Sequence, residues 1–419
     1  MTTPLRPPHT EFRPLRAGLL AGQGTTLPLL VRIRPAESVH TGELPPLNLA
    51  LVIDRSGSMS GQPLRMAQEA AMTAVRQMGP GDRLSVVVFD DVAEVVVPSQ
   101  LVTQPDALCS AIAGIETRGM TNLHAGWLTG ATQVAEHLKP GALNRVVILS
   151  DGQTNAGVTR VDEIAQQVRG LNERGISTTA IGLGACYDEE LLLAVANAGD
   201  GNFEHVEDPA RLPTLFEEEL RGLTRTTGRM VSLGVEPNPA HGVRVTDVLN
   251  AFDRNAWGRL QLPNLVAGQA VNVVVVLSVP AQAAGTTLGL TRARLAWTGP
   301  DGQRHHLRVQ LNLPVLAPAA YGALRDDPEV VEAQTLLQAA RLKRAAVEAL
   351  DRGDQGLARQ HLNSAYNAVM AAPISRLYQA QEGQDLVALS AALDAGDEAL
   401  SRKRALSQAH ARERSKRRD

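Results

Sequence analysis

The chain has 419 residues, of which 44% are hydrophobic and 20% charged, with a formal net charge of −3. That length is too great for one ordinary domain, and the composition excludes a disordered chain and a globally basic nucleic-acid binder. Aromatic residues are only 3%, so the cores must be built from Leu, Val, Ile and Ala, and the two cysteines form no disulfide framework or metal signature.

Residues 1–12 are proline-rich and polar and read as loose chain, with no apolar run of signal-peptide length. No stretch approaches the roughly 18–20 apolar residues of a membrane helix. The expectation is a cytoplasmic protein without a membrane segment. Residues 13–46 hold a strand (26–34) and a turn-rich link through Pro45 and Pro46. From 47 to 224, short apolar strands alternate with helix-length segments. Leu47–Ile53, Leu84–Phe89, Arg145–Ser150 and Ile176–Gly182 are the clearest strands, and Gln62–Met78 ends at Gly79-Pro80-Gly81, a helix stop. Such alternation predicts an α/β fold, a doubly wound and mostly parallel sheet with ligands at the carboxyl ends of its strands.

Residues 229–316 show strand-like runs separated by turns, Gly299-Pro300-Asp301-Gly302 among them, and predict an all-β sandwich. From Asp327 the apolar period is helical, giving a C-terminal helical region over 327–400 that reads either as a partner-docking bundle or as a brace on the sandwich. Residues 401–419 carry eight Lys or Arg against Glu413 and Asp419. This basic tail reads as a solvated, fraying terminus, with nucleic-acid binding as its alternative.

The chemistry concentrates at the end of strand Leu47–Ile53, where Asp54-Arg55-Ser56-Gly57-Ser58 precedes a helix. Three oxygen side chains at alternate positions on such a loop can converge on one point, and the N–H donors of the following helix N-terminus can orient them. Thr121, just before another helix, adds a hydroxyl. Asp151, after strand Arg145–Ser150, adds a second carboxylate at the same sheet edge. Two carboxylates and three hydroxyls, without His or Cys, suit a hard cation: Mg²⁺ first, with Mn²⁺ or Ca²⁺ as the others. Taken alone, Asp54 reads equally well as a cap for the next helix.

The pattern Asp-x-Ser-x-Ser, then Thr, then Asp resembles the metal-ion-dependent adhesion site of the von Willebrand factor A domain family, over roughly residues 47–224. The resemblance implies that Ser56 and Ser58 coordinate directly, that Thr121 does so in the ligand-bound form, and that an aspartate acts through water. It also implies an open metal position for a Glu or Asp of a partner protein, hence a binding scaffold and not an enzyme. The order of domains loosely resembles bacterial proteins similar to the inter-alpha-trypsin-inhibitor heavy chains; the resemblance implies that the strand segment within residues 13–46 joins the β-sandwich that follows, making the A domain an insertion, and it suggests an ATPase of the AAA class as partner. The competing reading is a metal-dependent phosphoryl hydrolase, although Ser56 stands where a second Asp would be usual and no phosphate loop is present. Asp90 and Asp91 read as turn residues, or as support for the metal site. His124 reads as a helix side chain, His305-His306 as an exposed strand pair, and Cys109 and Cys186 as buried apolar residues.

Overall fold

A computed structural model describes residues 7–35, 46–139, 142–184 and 186–415. Residues 1–6, Pro45, the rest of 36–45, and 416–419 of the basic tail lie outside the described residues. Two units share the chain: residues 227–299 and 303–419 associate with the first 37, and residues 38–226 form the other.

The first unit begins with β1 (His9–Pro14), β2 (Leu19–Leu20) and β3 (Thr25–Arg34). Residues 9–12, expected to be loose, therefore belong to a strand, paired antiparallel with β3. The pairing is possible because alternate residues Thr10 and Phe12 turn inward, Thr10 buried and Phe12 packed half-buried against the sandwich core.

The second unit follows the expected alternation. Its strands are β4 (Leu47–Asp54), β5 (Arg83–Phe89), β6 (Ala93–Leu101), β7 (Leu143–Ser150), β8 (Ile176–Leu183) and β9 (Asp200–Val206), in spatial order β6-β5-β4-β7-β8-β9. Only the β5–β6 pair is antiparallel. β4 and β7 are buried along their whole length, as a sheet covered on both faces requires. The covering helices are α1 (Gln62–Gln77), α2 (Pro105–Ala113), α3 (Leu123–Ala135), α4 (Val161–Asn172), α5 (Glu189–Ala198) and α6 (Leu212–Thr224). With β4 central, its carboxyl end and that of β7 lie side by side, which brings Asp54 close to Ser150 and Asp151.

The first unit resumes with β10 (Thr226–Pro237), β11 (Arg244–Val248), β12 (Leu260–Leu262), β13 (Leu265–Val266), β14 (Val271–Val279), β15 (Thr287–Thr298) and β16 (Arg304–Leu316). They form a sandwich of two sheets, β1-β3-β14-β11 and β12-β10-β15-β16-β2, with β13 beside β10. β3 pairs with β14 from Thr25 to Ile33, so the chain before the second unit completes the sheet formed after it. Leu29, Val31 and Val275 of one sheet meet Leu233, Leu295 and Leu313 of the other in a shared core.

After α7 (Pro318–Gly322), four helices follow: α8 (Pro328–Asp351), α9 (Gln355–Ala371), α10 (Arg376–Asp394) and α11 (Glu398–Glu413). Val330 and Leu337 of α8 pack on Leu30, Leu249 and Val274, the outer face of the β3–β14 sheet. Arg341 adds bonds to Asp247 and to the Leu249 carbonyl, so the helices brace the sandwich.

Three expectations need correction. Ser401 to Glu413, read as a fraying basic tail, lies in α11 with Ala405, Leu406 and Ala409 buried. Its cations are paired: Arg402 with Asp351, Arg412 with Glu382 at 3.4 Å, Arg414 with Asp253 at 3.9 Å. Burial of a Leu is worth roughly 1.5–3 kcal/mol, and the nearly buried Glu382 and Arg414 need their partners because an unpaired buried charge is costly, so α11 docks through apolar burial and paired charges together. Cys109 is buried as expected, but Cys186 is exposed. His306 is exposed, and His305 is half-buried, stacked on Trp297 at 5.4 Å between ring centroids.

Candidate metal centre

Asp54 ends β4 and is fully buried. Its Oδ1 accepts the Ser56 backbone N–H at 2.8 Å and its Oδ2 accepts the Ser150 hydroxyl at 2.6 Å. The donors to this carboxylate therefore come from the loop itself and from β7. The N-terminus of α1, expected to supply them, starts only at Gln62, after a 3₁₀ turn over Gly57–Met59.

Ser56 is buried and Ser58 exposed; their Oγ atoms lie 3.1 Å apart, and the Ser58 hydroxyl donates to Asp151 Oδ1 at 2.6 Å. Thr121 reaches the same spot from the loop before α3. Its N–H donates to Asn155 Oδ1 at 2.9 Å, and the Asn155 N–H returns a bond to the Thr121 carbonyl at 3.1 Å. Asn122 caps α3 by accepting the Ala125 N–H.

Gly152 shows how tightly these groups converge. A Cβ on Gly152 would lie 2.8 Å from Thr121 Oγ1, 3.4 Å from Ser58 Oγ and 3.6 Å from Asp54 Oδ2. Oxygens from three separate loops thus surround one point, and only glycine leaves it open. Burial pushes the Asp54 carboxyl up to about 6, against the opposing hydrogen bonds of Ser150 and Ser56, and the nearby Asp151 raises it further. Burial likewise raises Asp151, against its bond from Ser58. Two carboxylates so placed favour a cation between them. Among the described residues, no group of three His, Cys, Asp or Glu side chains is placed to hold a metal. The donor set here, two carboxylates with three hydroxyls, is the hard-oxygen kind that suits Mg²⁺, Mn²⁺ or Ca²⁺.

A second layer locks the two hydroxyl-bearing loops together. Asp90, 2% exposed, accepts from Arg55 Nε at 2.7 Å and from Arg118 Nε at 2.8 Å on one oxygen, and from the Val92 N–H on the other. Burial pushes its carboxyl up, but Arg118, the Val92 N–H and Arg55 together hold it below the ordinary range. Arg55 also meets Glu94 at 2.7 Å. The Arg118 N–H donates to the Arg55 carbonyl, and Asp91 accepts the Met120 N–H. Gly119 closes this junction at φ +73°, where a Cβ would lie 2.9 Å from the Asp90 Cβ. Asp90 and Asp91 are thus turn residues that also support the site. Sequence reasoning missed Arg55, Arg118, Ser150, Gly152 and Asn155. The usable signal was their position, next to the five oxygens or at the end of a neighbouring strand. His124 is a helix side chain hydrogen-bonded to Gln167 at 3.0 Å and joins none of this.

Comparison with known proteins identifies the domain that carries these residues. Residues 48–218 match the von Willebrand factor type A domain. The chain is 27% identical over 207 residues to the uncharacterized protein YfbK of Escherichia coli, covering 49% of this chain and 36% of that protein. It is 30% identical over 173 residues to an uncharacterized Synechocystis protein, sll0103, covering 41% and 40%. Human inter-alpha-trypsin inhibitor heavy chain H4 is 29% identical over 164 residues, covering 37% and 18%. The matches span well under half the length of these relatives. Among solved structures, a von Willebrand factor type A protein from Catenulispora acidiphila superposes with a TM-score of 0.71 at 17% identity, covering 92% of this chain and 91% of its own. The ArnB paralog VWA2 from Sulfolobus acidocaldarius gives 0.59 at 18% identity, covering 97% and 98%. The chain therefore carries a von Willebrand factor type A domain, and its fold as a whole is shared with these two proteins.

Proposed function

We propose that this chain is a metal-dependent protein-binding scaffold, in which Asp54, Ser56, Ser58, Thr121 and Asp151 hold Mg²⁺, or Mn²⁺ or Ca²⁺, as a metal-ion-dependent adhesion site. The observation that carries this reading is the convergence of oxygens from three loops beside Gly152. A divalent cation held there supplies a strong attraction for a carboxylate of a partner protein. The chain's own residues do the rest. Ser56 N–H and Ser150 fix the Asp54 carboxylate, Ser58 fixes Asp151, and Asn155 fixes the Thr121 backbone. Asp90 ties the Asp54 loop to the Thr121 loop through Arg55 and Arg118.

Binding is favoured over turnover. An aspartyl-phosphate hydrolase usually keeps a second Asp two residues after the first, and that position is Ser56, whose hydroxyl lies against Ser58. Nucleic-acid binding through residues 401–419 has little support, because Arg402, Arg412 and Arg414 are engaged with carboxylates of the first unit. No described helix is long and apolar enough to cross a membrane. The reading places the scaffold in the cytoplasm, with a Glu- or Asp-bearing partner, an AAA-class ATPase system being the candidate. The test is capture of partners on immobilised protein in Mg²⁺, followed by an EDTA wash, in parallel with Asp54→Ala. Release by EDTA and failure of Asp54→Ala to capture are expected; partners that persist through both would refute the reading.

A further inference from the structure

The outer face of the sandwich sheet built from β10, β15 and β16 is strongly basic. Register places Gly234, Arg294 and Arg308 in one row, Glu236, Arg292 and Gln310 in the next, and Ser232, Ala296 and His306 in a third. On β16 the outward residues Arg304, His306, Arg308, Gln310 and Asn312 are all exposed. Arg259 lies over Gly234, with its side chain 3.7 Å from where a Cβ would stand.

Few carboxylates answer these charges. Glu236 pairs with Arg294 at 2.9 Å. Arg304 donates to the Met230 carbonyl and to Ser232 Oγ, both uncharged acceptors. Arg292 reaches only Gln310 Oε1, at 3.3 Å, and Arg308 has no ion pair among the described residues. A guanidinium left without a carboxylate is a ready fork for one.

The same strand has a backbone edge that no described strand pairs along most of its length, with β1 of the other sheet lying near it. β16 pairs with β15 from Arg304 to Pro314, while on its other side β2 meets it only at Val315 and Leu316. No described strand pairs with that side from His306 to Pro314. An open edge accepts an added strand through main-chain hydrogen bonds, and alternate side chains of that strand then decide specificity. Outward side chains recur every second residue, about 6.8 Å apart, so a guest strand with acids at alternate positions would meet Arg308 directly and, in the next row, Arg292 across Gln310. The outward positions of β10, β15 and β16 carry no Phe, Tyr or Trp, but Trp257, 82% exposed, stands two residues from Arg259, so it is the unpaired edge that favours a peptide and the oligo-dT probe that tests stacking.

We infer that β16 and its basic face form a second docking site, independent of the metal centre, that takes an extended peptide of a partner protein with Asp or Glu at alternate positions. The guest adds to the β16 edge, and Arg308 and Arg292 receive its carboxylates.

The test uses the full chain and three fluorescein-labelled ten-residue probes, read by anisotropy at low and at physiological salt: an alternating Glu-Val peptide, its Lys-Val counterpart, and the Glu-Val peptide N-methylated at alternate residues. Oligo-dT of ten nucleotides is run alongside. The Glu-Val peptide should bind in EDTA as well as in Mg²⁺, and Arg292→Glu with Arg308→Glu should weaken it at least tenfold without shifting the melting temperature. N-methylation should weaken it by a similar factor, and the Lys-Val peptide should not bind. Absence of Glu-Val binding would overturn the inference, leaving the arginines as guards against edge-to-edge association. Equal binding of the N-methylated probe, indifference to the double charge reversal, or tighter binding of oligo-dT would overturn it as well. Because binding is read in EDTA, failure here leaves the metal-dependent reading untouched, and failure of that reading leaves this one standing.

Discussion

Asp54 is a carboxylate under opposing demands. Full burial without a cation raises its carboxyl to about 6 from an ordinary 3.8, despite two hydrogen bonds that favour the charged form. A raised folded-state value contributes stability below pH 3.8 and loses it as pH rises through about 6, so at neutral pH the metal-free protein carries a penalty. Asp54→Asn, neutral and of the same shape, should therefore stabilise the metal-free protein at pH 7.5 by roughly 1–3 kcal/mol in urea unfolding, while abolishing any stabilisation by Mg²⁺. A destabilised variant, or one still stabilised by Mg²⁺, would contradict the role given to this residue. Asp90 behaves in the opposite sense. Its carboxyl is held low by Arg118 and Arg55, so its contribution is present above 3.8 and lost as pH falls through the lower folded-state value. Asp90→Ala leaves Arg55 nearly buried with only Glu94, and should cost about 3 kcal/mol at pH 7 and progressively less toward pH 3. A loss independent of pH would show that the ion pairs do not matter.

At the scale of elements, the α/β half was legible because its signals are local. The two central strands read as mostly apolar runs that end on polar residues, Asp54 on β4 and Ser150 on β7, with Asp151 directly after. The support around them was not legible, because Asp90 meets Arg55 and Arg118 across 35 and 28 residues of sequence. α11 was misread for a related reason. Eight cations in nineteen residues look solvated until their partners are known, and those partners, Asp351, Glu382 and Asp253, come from elsewhere in the chain. β1 was missed because a short edge strand with a polar outer face carries little apolar signal. Asn250 tests the docking of α11. Buried beside β14, it donates to the Asn272 and Glu413 carbonyls at 3.0 and 2.9 Å and accepts the Val274 N–H at 2.9 Å. Asn250→Ala strands these groups and should destabilise the sandwich unit by about 1–3 kcal/mol, with protease cleavage appearing first in α11. Unchanged stability and unchanged cleavage would mean that α11 is held without it.

At the scale of the molecule, a sandwich unit is built from both ends of the chain, and a von Willebrand factor A domain occupies the sequence between them. That arrangement follows from one register, β3 on β14, in which residues 25–33 complete a sheet whose strands β11 and β14 come more than 200 residues later. The sequence pattern could suggest this interruption but not the register, since a nine-residue apolar strand fits many neighbours. The two candidate docking features belong to different units: an oxygen cluster in one, and a basic sheet edge in the other. The central claim is that Asp54, Ser56, Ser58, Thr121 and Asp151 together hold a divalent cation. Calorimetric titration of Mg²⁺ into EDTA-stripped, dialysed protein at pH 7.5 tests it most directly. The account predicts a single saturable site that Asp54→Ala and Asp151→Ala each abolish; no binding by the native chain, or a site that survives both substitutions, would contradict it.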